Sequence, residues 1–244
     1  MELLALILAG LFAGVSPAGL VGETIAADAI ASQLESVEGT RVRIDAVPLH
    51  NVARGRVQKV RIALRGASVA PLAAYPDVEL RIDRLEVETD AIDLDWDSLE
   101  LRQPMRAGVR LVLRREDLDA TLRSLVETFP TSDYDLVDPQ LMFLEGDRFR
   151  FQLEVREDDG DRALIILETG VNIPAGRQIE LVDPIVRVEG EDAPDRLLDD
   201  ITTGLNKRLD LARLEEEGLF VRIVRFQTDG DNLDMAAIVG LERF

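Results

Sequence analysis

From residue 40 onward, apolar and charged positions alternate along much of the chain. In Lys59-Val60-Arg61-Ile62-Ala63-Leu64-Arg65 the even positions are apolar and the odd ones charged, Ala63 apart. Val78, Leu80 and Ile82 alternate with Glu79, Arg81 and Asp83, and the same period runs through Val109, Leu111 and Leu113 and through Phe149, Phe151, Leu153 and Val155. A period of two predicts antiparallel strands with one dry face and one wet face. Near Arg84 the apolar phase slips from even to odd positions, to Leu85 and Val87, which predicts a bulge that bends the strand. Turn-forming clusters at Glu145-Gly146-Asp147, Asp158-Asp159-Gly160-Asp161, Pro174-Ala175-Gly176 and Asp229-Gly230-Asp231-Asn232 predict a meander of hairpins, closed by a last hairpin at about 219–240. Two stretches have helical spacing instead: Leu118, Leu122, Leu125 and Phe129, then Leu197, Ile201, Leu205 and Leu209.

Each of these helices follows a block of strands. The pattern therefore predicts an α+β fold with a curved, mostly antiparallel sheet wrapped around long helices, in two pseudo-related halves. The inside of such a fold is either filled by its own side chains or left open for a guest.

The first residues differ in kind. No charged residue lies between Glu2 and Glu23, and Leu3 to Val15 is almost wholly aliphatic. Roughly 20 apolar residues suffice to span a bilayer. Ser16-Pro17 reads as a helix cap with a first-turn proline, and the first basic residue is Arg41, so a secretory signal would lack its basic start. Three readings remain open: a membrane-anchoring helix, favoured here, an atypical signal peptide, or a buried helix. A second, amphipathic helix follows, with Ala26, Ile30, Leu34 and Val37 on one face, and it reads as core-packing. The expected organisation is a hydrophobic N-terminal helical segment with this amphipathic helix over 1–38, and one α+β domain over 39–244.

Composition removes most chemistry. A formal charge of −19 argues against nucleic acid as a partner. No cysteine is present, and His50 is the sole histidine. Nucleophile–histidine systems and histidine-rich zinc sites are thereby removed, and no phosphate-cradling glycine motif occurs. His50, beside Pro48 and Asn51, reads as a loop residue. Asp93, Asp95 and Asp97 imitate the start of a calcium loop, but Ser98 and Pro104 occupy the positions where that loop needs glycine and glutamate. No enzyme, no metal and no cofactor is expected.

One local feature points to a ligand. Between residues 40 and 66, Arg41, Arg43, Arg54, Arg56, Lys59, Arg61 and Arg65 face a single acid, Asp45, within a strongly acidic chain. Such an island suits an anionic headgroup or membrane surface, with Arg54, Arg56, Lys59 and Arg61 as candidates. The alternative, and the favoured one, is cross-strand pairing with Glu79, Glu86 and Glu88.

Several stretches carry a resemblance: Leu8 to Leu11 and Val15 to Val21, Ala29 to Glu35, Gly55 to Ile62, Leu80 to Ile82 with Leu85 to Thr89, and Pro104 to Leu113 leading into Glu116 to Leu122. Together they resemble the LmeA-like family of bacterial cell-envelope proteins, particularly its cyanobacterial branch. The resemblance implies phospholipid binding, a tube-like fold similar to the tubular lipid-binding proteins, and lipid handling at a membrane or cell envelope. Two positions depart from the family's pattern, Arg114 where threonine is usual and Asp119 where asparagine is usual. The expected function is non-catalytic binding or transfer of a long acyl chain, with Val60, Ile62, Leu64, Leu80, Ile82, Val109, Leu111, Phe149, Phe151 and Leu153 as candidate cavity lining. The competing expectation is a membrane-associated scaffold of envelope assembly whose core is fully packed.

Overall fold

Alternation becomes long antiparallel strands. The computed structural model describes residues 27–28, 30–32, 34–45, 51, 54–70, 77–93, 95, 101–128, 134–157, 162–194, 196, 198, 202–203, 211–216 and 218–241. The elements are β1 (Gly39–Asp45), β2 (Arg56–Val57), β3 (Lys59–Val69), β4 (Leu80–Thr89), β5 (Ile92–Asp93), β6 (Met105–Arg114), helix α1 (Arg115–Thr128), β7 (Tyr134–Leu144), β8 (Arg148–Glu157), β9 (Arg162–Asn172), β10 (Glu180–Val188), β11 (Glu191–Asp192), the short helix α2 (Arg213–Glu216), β12 (Leu219–Asp229) and β13 (Asn232–Leu241). They form a six-stranded sheet in the order β1-β3-β4-β6-β13-β12, a five-stranded sheet β11-β10-β9-β8-β7, and the small pair β2-β5.

This corrects the expected architecture. The protein is built of mostly antiparallel sheets, not of a sheet wrapped around long helices. Among the described residues the one long helix, α1, packs against β7 and more lightly on β4 and β6, and only its Leu118 meets the main core. The core there is made chiefly of strand side chains. Nor does the chain divide into two successive strands-then-helix halves. The last hairpin joins the first sheet, β13 pairing with β6 from Asn232↔Arg114 to Leu241↔Met105. A strand of matching length there satisfies the free N–H and C=O groups that β6 would otherwise leave at an edge. The leucine stripe of the second predicted helix (Leu197, Ile201, Leu205, Leu209), Phe129, His50 and the segment 1–26 lie outside the described residues. Among those residues no helix is long and apolar enough to cross a membrane.

The six-stranded sheet buries Val60, Ile62, Leu64, Ile82 and Leu85 to 2 % exposure or less. Ile30, from the predicted N-terminal stripe, is fully buried against them, with Leu34 and Val37 alongside. No bulge accompanies the phase slip near Arg84. The β3–β4 register runs unbroken from Arg61↔Glu88 to Val69↔Leu80, because both strands slip together. Gly66 lets β3 do so at φ +55, where a Cβ would come within 2.6 Å of the Glu38 side chain.

α1 is fixed at its start and one turn further on. The Arg115 N–H donates to the Asp231 carbonyl at 2.7 Å, and its guanidinium donates to the Asp231 carboxylate at 2.8 Å. Asp119, buried on the helix, accepts the Leu141 N–H at 2.6 Å and an Arg115 bond at 3.2 Å. A carboxylate thus occupies part of the open edge of β7. Arg114, at the end of β6, pairs with Asp83 at 2.7 Å.

The five-stranded sheet is bent on both flanks by the same device. Leu136-Val137-Asp138-Pro139 in β7 and Leu181-Val182-Asp183-Pro184 in β10 are identical tetrapeptides, and both interrupt their ladders. Asp138 and Asp183 take φ of +50 and +44. Proline cannot donate to a ladder and is tolerated at a bulge, where the strand bends and its twist increases.

Candidate functional site

Cross-strand register assigns each residue of the five-stranded sheet to a face. One face is mixed, with ion pairs among apolar residues: Arg150 and Arg187 meet Glu168 at 2.8 and 3.7 Å and Arg162 meets Glu154 at 3.3 Å, beside Met142, Leu164, Ile166 and Ile185. The opposite face is built of apolar rows. Leu141, Phe151, Leu167 and Val186 lie across one row, Phe151 and Leu167 being direct neighbours in the ladder; Leu153, Ile165 and Val188 form the next, and Leu136, Val155 and Ala163 the one beyond. Of these residues only Val186 is fully buried; the others are half-buried.

This apolar face leaves the core at one end. Phe143 and Phe149 pack edge to face at 5.5 Å, and Phe149 meets Phe226 of β12 at 5.7 Å, so this end belongs to the main core. Asp147, in the β7–β8 turn, accepts the Thr228 N–H at 2.9 Å and ties that end to β12. Phe151, Leu153 and Val155 continue outward from Phe149 and are not among the described side chains that pack on the core. These apolar rows outside the main core are a candidate binding surface.

The predicted lining residues therefore separate. Val60, Ile62, Leu64 and Ile82 sit in the solid core of the six-stranded sheet, with Leu80, Val109, Leu111 and Phe149 at its margin. Phe151 and Leu153 alone lie on the half-exposed face beyond it. Sequence reasoning missed Leu141, Ile165 and Leu167. Ala163-Leu164-Ile165-Ile166-Leu167 is a continuous apolar run with no readable face, and the Asp138-Pro139 bulge breaks the period between Leu136 and Leu141.

The wet face of the six-stranded sheet is a lattice of ion pairs. Lys59 and Arg61 both reach Glu88, at 2.6 and 2.8 Å, Arg61 also holds Asp45 at 2.7 Å, and Arg56 pairs with Asp93 at 3.1 Å. Arg54 is exposed. Asp93 and Asp95, the calcium-loop imitators, both lie against Arg102. Asp234, 7 % exposed, receives two bonds from Arg110 at 3.1 and 3.0 Å and lies 3.3 Å from a second cation, Arg225. The Arg110 hydrogen bonds hold its carboxyl below the usual carboxylate range. Between these pairs lies an open groove of about 510 Å³ with Ala63, Gly108 and Ala236 in its lining, beside which Val224 and Ile238 stand 63 % and 42 % exposed.

A partly buried apolar face of this kind is compatible with an apolar ligand. The chain belongs to the LmeA-like phospholipid-binding family. The LmeA-like pattern matches residues 13–238, which include α1 and both sheets except the last three residues of β13. No curated protein and no solved structure matches the chain. The family's description names phospholipid as the ligand class.

Proposed function

We propose that the protein binds phospholipid non-catalytically by laying acyl chains along the rows of Phe151, Leu153, Val155, Ile165 and Leu167, and that it holds or transfers that lipid at a bacterial membrane or cell envelope. The observation that carries the reading is the partial burial of this apolar face outside the main core, beside a sheet whose centre is packed to 2 % exposure or less. Burying apolar surface yields about 25 cal/mol per Å², so a hydrocarbon chain laid along these rows gains stability at every contact. Family membership supplies the lipid class.

The test is organic-solvent extraction of the purified protein followed by mass spectrometry. Wild type should yield phospholipid near one per chain, and the double variant Phe151→Asp, Ile165→Asp should lose it by at least about tenfold, the effect of roughly 1.4 kcal/mol. Lipid-free wild type, or a variant that still carries lipid, would sink the reading. The scaffold alternative has its own observation, the exposed Val224 and Ile238 beside the groove of about 510 Å³. Lipid-free protein whose partner binding is lost on Val224→Glu would favour it.

A further inference from the structure

On the wet face of the six-stranded sheet, one cluster of arginines breaks the rule its neighbours obey. Arg43, Lys59, Arg61 and Arg110 each have a carboxylate partner. The side chains of Arg41, Arg65 and Arg84 make no hydrogen bond and no ion pair within 4.0 Å among the described residues, Arg84 feeling only the more distant Asp234, yet all three line one cavity of about 350 Å³. Arg65 and Arg84 are direct cross-strand partners, a like-charge juxtaposition that destabilises a sheet when nothing lies between the charges. Space for an occupant is built in. Gly39, opposite Arg65 on β1, has nothing within 4 Å of where its Cβ would stand, and Ala63, opposite Arg41, is the small residue on the lining. Glu86 is the one carboxylate on the cavity wall, and Arg110 lies 4.0 Å from it. Three guanidinium groups against that carboxylate leave two positive charges.

We propose that this cavity is a phosphate-binding site, with Arg41, Arg65 and Arg84 as the ligating side chains. Planar guanidinium forks match the paired oxygens of a tetrahedral oxyanion, and three of them from three adjacent strands surround one phosphate better than one carboxylate. The phosphate comes either from an anionic lipid headgroup at a bilayer surface or from a soluble phosphate. The site lies on the other sheet from the acyl-chain rows and does not depend on them, so lipid extraction leaves it undecided.

Thermal unfolding of the full chain in inorganic phosphate, at constant ionic strength set with chloride, is the first arm. Phosphate should raise the Tm of wild type saturably and leave Arg65→Gln, Arg84→Gln unmoved. The double variant relieves a like-charge contact, so in chloride it should be at least as stable as wild type. Gly39→Leu fills the cavity without changing charge and should also lose the phosphate response, which a diffuse attraction would retain. Sedimentation with phosphatidylglycerol vesicles, against phosphatidylcholine, is the second arm. A fall of roughly thirtyfold in the double variant, the effect of two surface cations, identifies the membrane as the source; unchanged sedimentation with the Tm response intact identifies soluble phosphate. Equal Tm shifts in wild type and both variants, or no shift in wild type, would overturn the proposal.

Discussion

The two sheets use the same alternation and reach different ends. In the six-stranded sheet the dry face meets Ile30, Leu34 and its own curvature, and its central residues fall to 2 % exposure or less. In the five-stranded sheet an equally apolar face leaves the core past Phe149 and stays half-buried. Apolar patterning thus sets which side is dry without setting whether the protein itself covers it. Where cover is incomplete, the remaining surface is available to a ligand.

The sharpest way to break this contrast is a matched pair of truncations. Leu64→Ala should cost about 2–5 kcal/mol, the range for a filled core site, whereas Leu153→Ala on the lipid-free protein should cost about 1 kcal/mol or less, since a half-exposed side chain leaves no closed cavity. Urea denaturation measures both, and equal losses would mean that the five-stranded face is packed as tightly as its neighbour. A smaller effect probes the wet side of the closed sheet. Asp234→Ala leaves Arg110 and Arg225 without their carboxylate and should cost about 1–2 kcal/mol at neutral pH. Because the Asp234 carboxyl is held below its unfolded value, this stabilisation is present above about pH 4 and is lost as pH falls through the lower folded value. The wild type and Asp234→Ala curves should therefore converge only in strong acid. Smallest is Asp119→Asn, which keeps the side chain's shape and removes its charge. Its carbonyl still accepts the Leu141 N–H but its amide opposes Arg115, so we expect about 0.5–1 kcal/mol. Asp119→Leu, which leaves that edge N–H unpaired, should cost more by the same measurement.

What the sequence made legible follows from local periods. The Leu118–Leu122–Leu125 stripe lies on α1, the alternating segments are strands, and Ile30 and Leu34 are buried as their spacing predicts. Sheet membership was not legible, because nothing local in Asn232 to Leu241 says that its partner is β6 and not a strand of the neighbouring meander. The absence of a bulge near Arg84 was hidden for a related reason: a slip in one strand keeps register only if its partner slips too, and Gly66 supplies that on β3. For the site, Phe151 and Leu153 were readable, but the same alternation named Val60 and Ile62, since period two cannot distinguish a sealed core from an unsealed one. Lys59 and Arg61 were visible as a basic island, and their Glu88 partner was among the alternatives.

The β6–β13 ladder has a consequence for how the chain is made. Residues 115–231 intervene between Arg114 and its partner Asn232, so ribosomal synthesis delivers β1, β3, β4 and β6 long before the strand that completes their sheet. Until residues 232–241 emerge, β6 presents an unpaired border to any neighbouring nascent chain. Contacts so distant in sequence slow the search for the native state. A cell producing this protein gains from a chaperone that shields that border during translation.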